Sequence, residues 1–196
     1  MATMIRWKLS FLFAVALLFV GGCGGALYKV KPVVELPPLT GVLKGGTAGG
    51  LVVAVAPLLT DEESQDLFEA NLPLAGVLPM RVELGYKSGV PVEIKKVRFR
   101  LRDAAGQEWK LLNPKQAISR VLKKNEVYAY NPNSRKQFEA EFSAYGLDLK
   151  TPLTPSDQSR QGFLFFQTPD KEVVSSPRGL VLVVEGLSEP LEVSIN

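Results

Sequence analysis

Met80, Val82, Leu84 and Tyr86 alternate with Arg81, Glu83, Gly85 and Lys87. That period of two turns every second side chain to the same face of a strand. The same alternation returns in Val92 and Ile94, then with opposite parity in Val97, Phe99 and Leu101, and at the end of the chain in Leu191, Val193 and Ile195. The parity change at Lys95-Lys96 predicts a bulge or a break between two short strands. Leu51 to Leu59 is a compact apolar run that reads as a first strand, and Asp103-Ala104-Ala105-Gly106 reads as a turn into a strand over Glu108 to Leu112. Gly162 to Gln167 and Leu180 to Glu185 are continuous apolar runs, which suit central strands covered on both faces.

Three stretches carry helical spacing instead. Thr60-Asp61-Glu62-Glu63 forms a capping box ahead of a short helix to about Ala70 that buries Leu67 and Phe68. Pro114 to Lys124 sets Ala117, Ile118, Val121 and Leu122 on one face. Ser134 to Tyr145 sets Phe138, Phe142 and Tyr145 at i, i+4 and i+7, with Ser134 and Gln137 as a second capping box. About seven strands with scattered helices and no βαβ rhythm predict a mainly β fold over residues 51–196, an antiparallel β-sandwich of immunoglobulin-like type with two to three short helical insertions. No Cys-Trp-Cys core signature accompanies it.

The N-terminus has a different logic. Arg6 and Lys8 precede an apolar run from Leu9 to Val20, and Gly21-Gly22 leads into Cys23. A basic start, a short apolar stretch and small residues are the layout of an export signal, and the run is well short of the roughly 20 residues of a spanning helix. Val20-Gly21-Gly22-Cys23 resembles the lipobox of bacterial lipoproteins. The resemblance implies that residues 1–22 are a cleaved signal peptide and that the Cys23 thiol takes diacylglycerol, with palmitate-type acyl chains anchoring it in a membrane. Each buried CH₂ contributes about 0.8 kcal/mol to such anchoring. Gly24, where an Asp would retain family members in the inner membrane, implies the periplasmic face of the outer membrane. Residues 23–50 read as lipidated cysteine plus tether. Pro32, Pro37 and Pro38 favour extended chain, and Gly45, Gly46, Gly49 and Gly50 favour flexibility. Further on, F-x-x-N-L from Phe68 to Leu72 and G-V-L-P-M from Gly76 to Met80 resemble β-sandwich domains of uncharacterised bacterial envelope lipoproteins, a resemblance that brings no activity with it.

Composition narrows the chemistry. The chain has no histidine and one cysteine, which removes the commonest general base and zinc ligand together with any intramolecular disulfide. Nucleophilic catalysis of the Ser-His-Asp or Cys-His kind is excluded. Ser88, Ser119 and Ser134 have lysines nearby, but at no spacing that marks a Ser-Lys dyad. Lys44-Gly45-Gly46-Thr47 has the lysine on the wrong side of the glycines for a phosphate-binding loop. The acids at 61–63 are explained by the helix N-terminus, so neither a metal nor another cofactor is expected. Without residues 1–22, which hold Arg6 and Lys8 and no acid, 23 − 2 = 21 basic residues face 20 acids. That balance gives no nucleic-acid footprint.

Two surfaces remain. If Val97, Phe99 and Leu101 face inward, Lys96, Arg98, Arg100 and Arg102 share the outer face of one strand, a cationic stripe for an envelope protein or glycan unless neighbouring strands supply acids. Phe138, Phe142 and Tyr145 form an aromatic stripe that either docks on the core or contacts an apolar ligand. The expectation is a non-enzymatic envelope lipoprotein acting as an interaction or assembly module. The alternative is a lipoprotein that binds a small apolar ligand between aromatic helix and sheet.

Overall fold

The structure, a computed structural model, describes residues 28–36, 39, 44–87, 91–127, 131–157 and 159–196. Eight strands form one antiparallel sheet: β1 Lys44–Ala48, β2 Leu51–Pro57, β3 Val77–Tyr86, β4 Arg98–Arg102, β5 Glu108–Leu112, β6 Ser159–Gln167, β7 Val181–Glu185 and β8 Leu191–Ser194. Their order is β1-β2-β3-β6-β5-β4-β7-β8. The two ends of that order come together, with β1 lying along β8 and no ladder between them among the described residues. The sheet is a nearly closed barrel.

This corrects the predicted two-sheet sandwich. A sandwich needs a gap in hydrogen bonding between its sheets, and β5 removes that gap. Its first residues, Glu108 and Trp109, pair with β4, while Lys110 to Leu112 pair with β6. One short strand thereby carries the ladder round the corner. Alternation specifies that one face of each strand is buried, but not whether a second sheet or the curl of the same sheet buries it. Eight strands enclose a space that side chains can fill. Here Val53, Val82, Leu164, Trp109, Leu101 and Val193 fill it from six different strands, all buried.

β1 is the eighth strand, in a segment whose glycines pointed to a linker. The glycines are there for close approach. A Cβ on Gly45 would lie 2.4 Å from the carbonyl oxygen of Val53, and one on Gly46 would lie 2.5 Å from Cδ1 of Leu191 on β8. The barrel closes where side chains are missing. The stretch read as tether thus contributes a strand at 44–48 and a second structured piece at 28–36, described below.

Three helices cover the outside of β3, β6 and β5: α1 Asp61–Phe68, α2 Pro114–Lys124 and α3 Pro132–Ala144. The α1 capping box at Thr60 and Glu63 is present as predicted. α2 has the predicted bounds and buries the four predicted residues, with Asn113 and Gln116 closing a further capping box. α3 starts earlier than predicted. Asn131 caps it by accepting from the amide of Asn133, and Pro132 takes the first helical position, where a missing N–H costs nothing. The break expected at Lys95-Lys96 is a 3₁₀ turn, Ile94–Lys96.

β6 is covered on both faces. Leu164 and Phe166 point into the barrel, while Phe163 and Phe165 point to the helices. On the helical side Phe68 is fully buried, with ring centres of Phe142, Tyr145 and Phe163 at 5.0, 5.1 and 5.6 Å. Burying such a ring stabilises the layer by about 2–3 kcal/mol, and edge-on contacts of this kind add to it.

Candidate functional site

The cationic stripe does not form one uniform row. Lys96 belongs to the 3₁₀ turn before β4. Arg98 donates to the carbonyl oxygens of Lys95 and Val97. Arg100 bridges Glu108 on β5 and Glu185 on β7, at 3.0 Å to each, and Arg102 meets Glu192 on β8 at 2.8 Å. The hydrogen bond to Glu108, joined by the charges of Glu108 and Glu185, holds the Arg100 proton more tightly than usual. The acids that the alternation leaves on neighbouring strands neutralise the centre of the stripe.

The aromatic stripe is filled by protein. Phe138, Phe142 and Tyr145 are all buried. Phe142 stacks on Phe165 at 4.9 Å, and Tyr145 lies 5.7 Å from Phe163. A cleft of about 560 Å³ lies beside this layer, lined among others by Leu111, Pro114, Leu147, Leu149 and Phe163. None of the three stripe residues lines it.

Cys23 and the export signal lie outside the described residues, as does Ser88. The chain is described from Tyr28, five residues after Cys23, and there it is docked on the helical layer. Val30 is buried, and Tyr28 packs against Phe138 with ring centres 5.0 Å apart. The Lys31 amide donates to the Leu67 carbonyl at 3.0 Å, and the Lys31 ammonium meets Asp66. The Tyr28 hydroxyl accepts from Nδ2 of Asn125 at 3.0 Å, just past the C-terminal end of α2. The Tyr145 hydroxyl donates to the Lys31 carbonyl. Burial pushes the Tyr145 hydroxyl up to about 12, the carboxylate of Glu35 adds to this, and Arg81 opposes it.

A second basic surface was not anticipated. A groove of about 470 Å³ runs between α2 and the ends of β5 and β6, lined by Lys110, Lys115, Arg120, Lys123, Gln167 and four neutral residues, with no acid. Lys110 and Gln167 sit opposite each other across the β5–β6 ladder and face the helical side. Arg120 is fixed by donating Nη2 to the carbonyl oxygens of Ala75 and Lys171, at 3.2 and 2.7 Å, while its buried Nε has no acceptor. Gln167 is 6% exposed, and its side chain makes no hydrogen bond among the described residues. The sequence held a signal for this groove. Residues 109–124 contain Lys110, Lys115, Arg120, Lys123 and Lys124 without one acid, and the apolar face of α2 leaves 115, 119, 120 and 123 on the other side.

Among the described residues, no group of three or more acids or cysteines is arranged to hold a metal, and no helix is long and apolar enough to cross a membrane. Ser119 donates to the Lys115 carbonyl of its own helix, an ordinary backbone contact rather than a nucleophile's setting. Comparison with protein-family models, with curated proteins and with solved structures found no match to this chain.

Proposed function

We propose that the protein is an envelope lipoprotein, anchored through Cys23, whose barrel is a non-enzymatic interaction module held close to the membrane by its helical wall. The observation that carries this reading is the docking of residues 28–36 on α1 and α3. Five peptide steps separate Cys23 from Tyr28, and at full extension they reach about 17 Å. A lipid on Cys23 therefore holds the helical wall near the bilayer instead of releasing the domain on a long tether. The barrel interior is packed with its own side chains, which leaves the outer surfaces for partners such as envelope proteins or glycans.

The test is incorporation of labelled fatty acid in growing cells. Label enters the wild-type chain and not Cys23→Ser; equal labelling of both would overturn the reading. A second reading, binding of a small apolar ligand, is favoured by the cleft beside Leu111, Leu147 and Phe163, whose volume suits a small molecule. Leu147→Trp, which fills that cleft, should abolish quenching of the intrinsic fluorescence by a long-chain fatty acid if the reading holds.

A further inference from the structure

The basic groove on α2 combines three features. Four cationic side chains, Lys110, Lys115, Arg120 and Lys123, line it, and none of them makes an ion pair among the described residues. Arg120 is held in place by two backbone carbonyls, so its charge is fixed rather than mobile. Gln167 is more than nine-tenths buried at the groove floor, with an amide that has no protein partner. The amide is not sealed off from solvent, so it can bond a group held in the groove. An anion with several acceptor oxygens satisfies the amide and the cations together, which is the pattern of a phosphate group.

Two further observations select the source of that phosphate. Apolar side chains open to solvent follow the backbone that holds Arg120. Leu74 and Val173 are each 39% exposed, one residue from Ala75 and two from Lys171, whose carbonyls accept from Arg120. On the docked N-terminal segment Val34 is 92% exposed. A cationic groove on a surface that also exposes aliphatic side chains suits an interface where headgroups meet acyl chains. The groove also runs along the helix whose C-terminal end meets Tyr28 through Asn125. α2 has 11 residues, so its whole length is about 16 Å, comparable to the reach from Cys23.

We propose that this groove binds the phosphate of an anionic phospholipid headgroup and seats the barrel on the membrane by its helical wall. The proposal rests on membrane attachment at Cys23 for its setting, but binding in the groove is measurable without lipidation.

The experiment uses the full chain in uncharged detergent micelles, with the Gln167 side-chain amide followed by NMR as lipid is added. Phosphatidylglycerol shifts the Gln167 signal and the Lys110 backbone amide, whereas phosphatidylcholine leaves both in place. Lys115→Glu with Lys123→Glu, both exposed positions, weakens the apparent affinity about tenfold or more, on the scale that surface cations contribute at anionic membranes. Lys124→Glu, exposed but outside the groove, stays within about twofold and separates a built site from general charge attraction. No shift with phosphatidylglycerol, or an equal loss in Lys124→Glu, overturns the proposal. Inorganic phosphate that gives the same shifts at equal concentration overturns the lipid source and assigns the groove to free phosphate. Failure of fatty-acid labelling at Cys23 would end the anchor reading and leave this titration unchanged.

Discussion

The hydroxyl of Tyr145, at the end of α3, donates a hydrogen bond to the backbone carbonyl of Lys31, 114 residues earlier in the chain. The bond ties the segment nearest the candidate anchor to the aromatic layer on β6. Tyr145→Phe keeps the ring packing against Phe68 and Phe163 and removes only the donor. Losing it should cost about 0.5–1.5 kcal/mol in urea unfolding. The Lys31 amide, which donates to Leu67, should exchange faster with solvent than in the wild type. Unchanged exchange at Lys31 would mean that packing of Val30 and Tyr28 alone holds the segment.

The same hydroxyl sets an alkaline limit. Its pKa in the fold is pushed up to about 12, chiefly by burial, against about 10 in an unfolded chain. The folded state therefore favours the protonated phenol. This contribution to stability is complete below about pH 10 and is lost as pH rises toward about 12. Absorbance of tyrosinate should show a step near 12 that is missing from Tyr145→Phe, and the variant's stability should decline less between pH 10 and 12.

At the acid end the loop before β6 carries the opposite sign. Asp148 is held below the usual carboxylate range, first by the side chain of Thr151 and then by the amide of Lys150. Asp157 is lowered by the amide of Thr154, at 2.7 Å, and by its hydroxyl. Arg160 gathers the loop by donating to the carbonyl oxygens of Asp148, Thr151 and Pro152. Both carboxylates stabilise the fold above about pH 4, the value for unfolded aspartate, and that contribution fades as pH falls through their lower folded values. The double variant Asp148→Asn with Asp157→Asn should lose less of its urea midpoint between pH 5 and pH 2.5 than the wild type does.

The two glycines that close the barrel should differ in cost. A methyl group at Gly45 meets the backbone oxygen of Val53, which cannot step aside, whereas one at Gly46 meets the end of the Leu191 side chain, which can. Gly45→Ala is expected to destabilise by about 1–3 kcal/mol, the range for overpacking, and Gly46→Ala by less. Adding Leu191→Ala should relieve Gly46→Ala but not Gly45→Ala. Equal effects in urea unfolding would contradict the close approach of β1 to β2 and β8.

The helices were legible because their signals are local. Thr60 with Glu63, and the spacing of Ala117, Ile118, Val121 and Leu122, lie within a few turns of chain. β3, β4 and β8 were legible by parity, β2, β6 and β7 as continuous apolar runs, and β5 from the turn before it. The closure was not, because it depends on β5 dividing its five residues between two neighbours and on β1 meeting β8 across the whole chain. Gly45 and Gly46 looked like flexibility for the same reason. A glycine needed for a distant backbone reads the same in sequence as one needed for a linker. Arg100 and Arg102 drew attention as unbalanced charge although Glu185 and Glu192 lie on strands formed 85 and 90 residues later. The groove depends on Gln167, which joins Lys110 only when β5 pairs with β6.

The strand order also places the helical wall opposite β8, since β6 and β8 stand four places apart in a ring of eight. With Cys23 as the one native cysteine, a single engineered cysteine can report which wall faces the bilayer once Cys23 carries lipid. The most direct measurement is energy transfer from a donor at Ser119→Cys on α2, or at Ser194→Cys on β8, to acceptor-labelled lipid headgroups in the membrane that holds the protein. Both positions are exposed. Transfer should be clearly stronger from position 119 than from position 194. Equal transfer from the two positions, or stronger transfer from β8, would contradict a barrel held to the membrane by its helical wall.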